Sequence, residues 1–166
     1  GIRGPGVCRV GVLERERVVR VLRERLSRLE EGRVKAVLLF GSVARGEARE
    51  DSDVDLLVLH EGLGIEDPVA RRRYVYELVW KAVGREFEAL TVLEMELGAF
   101  LRPGTVTPLL LDIYWDAVVV LDRTGSLEEF LSRVRHRIAE SGLVRRREGR
   151  GYCWVLPVPL RRVEIL

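Results

Sequence analysis

Two carboxylates, Asp53 and Asp55, stand two positions apart behind a Gly41-Ser42 pair in the stretch from Phe40 to Leu59. On a strand, side chains two apart share a face, so both carboxylates project together while Val54 turns the other way into a core. Like charges that close repel unless a cation sits between them or one takes up a proton. An all-oxygen set of this kind suits Mg²⁺, which commonly takes one or two carboxylates and completes its octahedron with water and phosphate oxygens.

The flanking runs supply the frame. Val34 to Phe40 and Val54 to Leu59 are apolar runs of strand length, with turn residues and room for a short helix between them. Leu13 to Leu29 carries Val18, Val19, Leu22, Leu26 and Leu29 at helical spacing, and Glu31-Gly32 reads as its glycine C-cap. Val69 to Val83 reads as a second amphipathic helix ending at Gly84, and Glu86 to Leu93 as a third strand. Further on, the spacing predicts a short helix over Glu94 to Leu101, a break at Arg102-Pro103-Gly104, a helix from Pro108 to Trp115 and a strand from Ala117 to Leu121. A helix from Ser126 to about Glu140 follows, opened by a capping-box pattern from Ser126 to Glu129. Tyr152 to Val158 is a strand candidate cut short by Pro157 and Pro159. This order predicts a compact α/β domain of three layers at most.

Two familiar motifs fail on the same residues. Gly41 to Gly46 has the glycine spacing of a P-loop, but Glu47-Ala48 follows where Lys and Ser or Thr are required. An EF-hand beginning at Asp51 needs Gly and Glu where the chain has Leu56 and Gly62. What remains, Gly-Ser followed ten residues later by Asp-x-Asp between two strands, resembles the nucleotidyltransferase superfamily that includes DNA polymerase beta. In detail it is similar to the minimal nucleotidyltransferases of archaea and bacteria, through Gly41-Ser-Val-Ala-Arg-Gly46 and Ser52-Asp-Val-Asp-Leu-Leu-Val58. The match is close over Leu38 to Val58 and looser over roughly residues 10 to 122. It implies an α/β (α+β) fold of the polymerase beta-like type, a mixed central sheet flanked by helices over residues 7–122, with a small helical and strand extension over 123–166 packed on the same domain.

The resemblance also implies roles. Gly41 and Ser42 would receive a triphosphate, the glycine by close backbone approach and the serine as a hydroxyl donor. Asp53 and Asp55 would bridge two Mg²⁺ ions in transferring a nucleoside monophosphate, AMP from ATP, to a hydroxyl. Ser52 braces the turn before Asp53 and supports the nucleotide site indirectly. Arg45 either contacts phosphate or pairs with Glu47 or Glu50. A third carboxylate is expected on the strand after the second helix, and Glu88 is the choice, although many relatives use Asp there. Relatives of this type pair with helical HEPN proteins in toxin–antitoxin systems. That leaves open either AMP transfer to such a partner or its neutralisation by a non-catalytic, nucleotide-sensing module.

The remaining polar residues carry plainer expectations. Glu94 and Glu96 read as first-turn helix acids, Asp112 and Asp116 as a solvated helix face, and His60 and His136 as surface imidazoles. Arg71 to Arg73 and Arg145 to Arg147 with Arg150 read as solvated surface, or as a match for an acidic partner. Trp80, Trp115 and Trp154 read as core or interface anchors, with stacking on the base as the alternative for one near the site, and three tryptophans are compatible with homo-oligomerisation or partner docking.

Composition bounds the rest. The 166 residues are 47% hydrophobic, enough for one sizeable core. Twenty-eight basic against 26 acidic residues leave a net charge of only +2, which argues against charge-driven nucleic-acid binding. Nearly every base is arginine, as in ion-paired thermophilic surfaces or GC-rich genomes. Cys8 and Cys153 form neither a metal motif nor a disulfide framework, which fits a reducing cytoplasm. No charged-then-apolar leader opens this sequence and no apolar run approaches membrane length, so neither export nor insertion is expected, and Gly1 to Gly6, with no initiator Met, is set aside as a processed or added end.

Overall fold

The computed structural model describes residues 5–157 and 162–166, with the side chains of residues 5–10, 12 and 13 outside that description. Expectations for the first four residues, the Cys8 thiol, Val158 and Pro159 therefore lie outside the described residues. The elements run α1 (Pro5–Leu26), β1 (Val34–Phe40), α2 (Gly41–Ala44), β2 (Val54–His60), α3 (Pro68–Val83), β3 (Leu90–Glu96), α4 (Leu97–Leu101), α5 (Pro108–Asp116), β4 (Val118–Asp122), α6 (Leu127–Glu140), β5 (Val144–Glu148) and β6 (Gly151–Val155). The central sheet has the order β3-β2-β1-β4, and β5 and β6 form a separate hairpin. Pairing is antiparallel for β1 with β2 and with β4, and parallel for β2 with β3, so the sheet is mixed as expected.

Both faces of this sheet are covered, which is why β1 and β2 read as continuous apolar runs and not as alternating ones. Val37 and Leu39 of β1 and Val54, Leu56 and Val58 of β2 pack with Val18, Leu22 and Leu26 of α1 and Val75 and Val79 of α3. Leu38 and Phe40, with Leu57 and Leu59, face Phe100, Tyr114, Phe130 and Leu131 of the helices on the other side. Asp55 shares the second parity, so its side chain emerges on the α4–α5–α6 face at the end of the strand, paired across the ladder with Phe40. Val54 is buried on the opposite face, as its strand position requires. Tyr114 donates its hydroxyl to the Phe100 carbonyl at 2.6 Å, satisfying the polar tip of a fully buried ring.

Several local expectations change. Helix α1 ends at Leu26, short of Gly32, and the turn after it is held by Arg123, whose guanidinium donates to the carbonyls of Glu31 at 2.6 Å, Val34 at 3.0 Å and Leu29. Ser126 makes no capping bond; the Asp122 carboxylate accepts instead from the N–H groups of Thr124, Gly125 and Leu127. Arg135 donates to the carbonyls of Tyr114 at 2.7 Å and Ala117 at 2.6 Å, at the end of α5. Part of the arginine excess thus closes helix ends and turns inside the molecule. Gly84 follows α3 with a negative φ, and its missing side chain matters for packing: a Cβ there would lie 2.2 Å from the Trp80 ring. No described helix is long and apolar enough to cross a membrane.

Candidate active site

The strand β1 delivers the chain into α2 through Gly41, whose φ of +77° is open to glycine and strained for other residues. A Cβ on Gly41 would lie 2.1 Å from Asp55 Oδ2. The glycine is therefore required twice, for its backbone conformation and for room beside the carboxylate. Asp53, Asp55, Gly41, Ser42, Arg45 and Ser52 all line one open cavity of about 890 Å³. Six of the seven residues singled out from the sequence meet there.

Electrostatically the cavity is frustrated. Burial, reinforced by the neighbouring Asp53 charge, pushes Asp55 up to about 6, with the Thr91 hydroxyl and Arg45 working against the shift. Thr91 stands opposite Asp55 in the parallel ladder and donates to Asp53 Oδ2 at 3.0 Å. A divalent cation fits this donor set: two carboxylates lining one cavity, one of them disfavoured as a bare anion, beside a turn that leaves space where a side chain would be.

Glu88 is the seventh residue, and the structure places it elsewhere. The third strand begins at Leu90, so Glu88 sits in an exposed bend before it, lining a different depression with Glu86, Phe87 and Ala89. The apparent alternation over residues 86–93 reflects a 3-10 turn followed by a bend, and the true strand is shifted toward the C-terminus. At the ladder position beside Asp55 the chain has Thr91. Among the described residues, no group of three His, Cys, Asp or Glu side chains is placed to hold a metal.

Arg45 pairs with Glu47 at 3.2 Å and Asp116 at 3.6 Å, and its side chain is only 14% exposed. Ser52 accepts from the Arg49 N–H at 2.8 Å while its own N–H donates to the Arg49 carbonyl at 3.0 Å, a brace for the loop ahead of Asp53. Asp116 is not a solvated acid: Arg145 reaches it at 2.6 Å and Asp112 at 3.4 Å, so the Arg145 guanidinium is locked in place as well. Arg147 and Arg150, read as surface from the sequence, line the cavity with Gly41 and the two aspartates. Only the fold of the β5–β6 hairpin brings them there; an arginine-rich run gives no sign of it.

His60, Glu94 and Arg71 also depart from expectation. His60 is fully buried, Glu94 lies on β3, and His60 Nε2 is 2.5 Å from Glu94 Oε2 while Arg71 Nε donates to Glu94 Oε1 at 2.9 Å. His136 is exposed, as expected, beside Glu140 at 3.2 Å.

A family model described as a nucleotidyltransferase domain matches residues 19–139. A candidate protein adenylyltransferase of Methanocaldococcus jannaschii is 30% identical over 103 residues, covering 60% of this chain and 67% of that relative. A second candidate protein adenylyltransferase of that organism is 54% identical over 28 residues, which span 17% of this chain and 28% of the relative. Among solved structures, a candidate nucleotidyltransferase from Sulfolobus solfataricus superposes with a TM-score of 0.48 at 18% identity, covering 74% of this chain and 94% of that one.

Proposed function

The chain belongs to the nucleotidyltransferase family, and from that premise we propose that it transfers AMP from ATP to a hydroxyl group of a partner protein, in the presence of Mg²⁺. The observation that carries the reading is the juxtaposition of Asp53 and Asp55 with Gly41, whose absent side chain leaves the space beside Asp55 free. The acceptor oxygen forms a bond to the α-phosphorus, the bond from that phosphorus to the bridging oxygen breaks, and pyrophosphate and a proton leave. Two Mg²⁺ ions held by Asp53 and Asp55 would supply charge to the attacking oxygen and to the triphosphate. The chain itself contributes position: Gly41 lets the backbone approach phosphate, and Ser42 offers a hydroxyl donor. Ser52 keeps the Asp53 loop in register. The protein acceptor is favoured by the activity for which both Methanocaldococcus relatives are named. A helical HEPN-type protein is the partner class that the sequence resemblance suggests.

One observation favours a second reading. Thr91 occupies the ladder position beside Asp55. Glu88 is outside the cavity that holds Asp53 and Asp55. A site of two carboxylates could bind nucleotide, and the protein could neutralise its partner by covering it, without turnover. Labelled ATP, Mg²⁺ and the protein encoded beside this one separate the readings. Wild type should label the partner, and the Asp53→Asn, Asp55→Asn double variant should neither label nor neutralise it. Neutralisation by the double variant, with no label transferred by wild type, would establish the binding module instead.

A further inference from the structure

The match to the family ends at residue 139, and the β5–β6 hairpin lies beyond it. One side of this hairpin is fastened to the body of the molecule. Tyr152 donates its hydroxyl to Glu47 at 2.5 Å, Trp154 its indole N–H to Asp112 at 2.9 Å and Arg145 its guanidinium to Asp116 at 2.6 Å. Glu47 belongs to the loop that leaves the Gly41-Ser42 turn, so these contacts fix the hairpin against the phosphate side of the cavity.

The two arginines near its tip are held differently. Arg147 is 54% exposed and comes no nearer than 4.0 Å to Glu47; Arg150 is 72% exposed and 3.3 Å from an equally exposed Asp51. Ion pairs this exposed contribute little and exchange readily for a better anion. Both residues nonetheless line the cavity of Asp53 and Asp55. That cavity has four acids, Glu47, Asp51, Asp53 and Asp55, which repel a triphosphate, and its most deeply placed base, Arg45, is already tied between Glu47 and Asp116. Guanidinium forks recognise phosphate oxygens two at a time, which suits loosely held arginines to a polyphosphate.

We propose that the C-terminal hairpin is a triphosphate clamp, in which Arg147 and Arg150 bind the β- and γ-phosphates of the nucleotide held at Asp53 and Asp55. The proposal rests on the nucleotidyl-transfer reading and adds to it the part of the chain that lies outside the family match.

The test is calorimetric titration of the full chain with ATP and with AMP in Mg²⁺, for wild type, Arg147→Ala, Arg150→Ala and the double variant, together with KM for ATP and for the acceptor. Each single substitution should weaken ATP on the order of tenfold and the pair on the order of a hundredfold, since each removes a hydrogen bond between charged groups. AMP affinity and acceptor KM should stay within about twofold, because the hairpin engages only the outer phosphates. Conservative Arg150→Lys should restore part of the loss. An unchanged melting temperature checks folding, and the single variants serve if the double variant melts early. Wild-type binding of ATP with no loss in the variants overturns the clamp and leaves the transferase reading standing. A loss confined to acceptor KM assigns the arginines to the acceptor and also overturns it. Failure of wild type to bind any nucleoside triphosphate removes both.

Discussion

The two ends of the β2–β3 ladder handle charge in opposite ways. At one end Asp55 and Asp53 line one open cavity and repel each other, and a threonine hydroxyl and the engaged Arg45 guanidinium moderate the repulsion. At the other end Glu94, with a side chain 8% exposed, receives a histidine at 2.5 Å and an arginine at 2.9 Å. Burial alone would raise the Glu94 pKa, yet the hydrogen bonds from His60 and Arg71 hold it below the usual carboxylate value. The same pair of strands thus carries one acid whose charge is compensated within the protein and one whose charge awaits something from outside. Uncompensated charge at a cavity is where a sheet departs from its own stability optimum, and such departures mark functional sites.

The sharpest way to break the comparison is to neutralise each end and read both activity and stability. Asp53→Asn keeps the shape of the side chain while removing a charge that the proposed transfer requires, so labelled-AMP transfer should fall on the order of a thousandfold, with urea unfolding little changed. Glu94→Ala should do the reverse. It leaves His60 and Arg71 without their shared acceptor in a nearly closed site, which should lower unfolding free energy by about 3 kcal/mol while ATP affinity holds. A Glu94→Ala variant as stable as wild type would show that the far end is not the structural anchor described here. Gly41→Ala falls between the two. The strained φ and the Cβ clash with Asp55 together should lower stability by about 2 kcal/mol, and transfer should drop because the displaced carboxylate is one to which the proposed function assigns a metal.

The asymmetry also explains what the sequence revealed. Asp53, Asp55 and Gly41 were legible because a strand's two-residue period and a turn's need for glycine act locally. The strands β1 and β2 were legible as continuous apolar runs, whereas the mixed sheet was implied by the family resemblance, since strand pairing is not a local property. Glu88 was not, because a bend and a 3-10 turn imitated alternation and moved the start of β3 to Leu90. His60 and Glu94 looked like ordinary surface residues, since their burial depends on Arg71 arriving from α3. Asp112, Asp116 and Arg145 were misjudged for a related reason: residues 29 to 33 positions apart meet there, and no local pattern encodes that meeting. Charge compensation between distant elements is the least readable layer of this chain, and it decides which acids are structural.

The smallest expected effect gives the most discriminating comparison, because the two ends titrate with opposite sign. The native state holds the Asp55 proton up to about pH 6, above its ordinary 3.8, so folding binds protons there and stability falls as pH rises from about 4 through 6. Glu94 is held below its ordinary 4.5, so its contribution is present above that value and disappears as pH falls beneath it. Urea unfolding in a metal chelator, from pH 3 to 7.5, should therefore separate two variants. Asp55→Asn should gain about 1 kcal/mol over wild type at pH 7, after allowance for solvent screening, and nothing at pH 4. Glu94→Gln should lose stability at pH 7, and its deficit should shrink toward pH 3. If the Asp55→Asn gain were the same at every pH, repulsion and burial of that carboxylate would not be its source, and the contrast between the ends of the ladder would reduce to packing. If instead the gain appears only as Asp55 ionises, and Mg²⁺ with ATP reverses the order of wild type and variant, then the strain at this end is the charge that the bound ligand relieves.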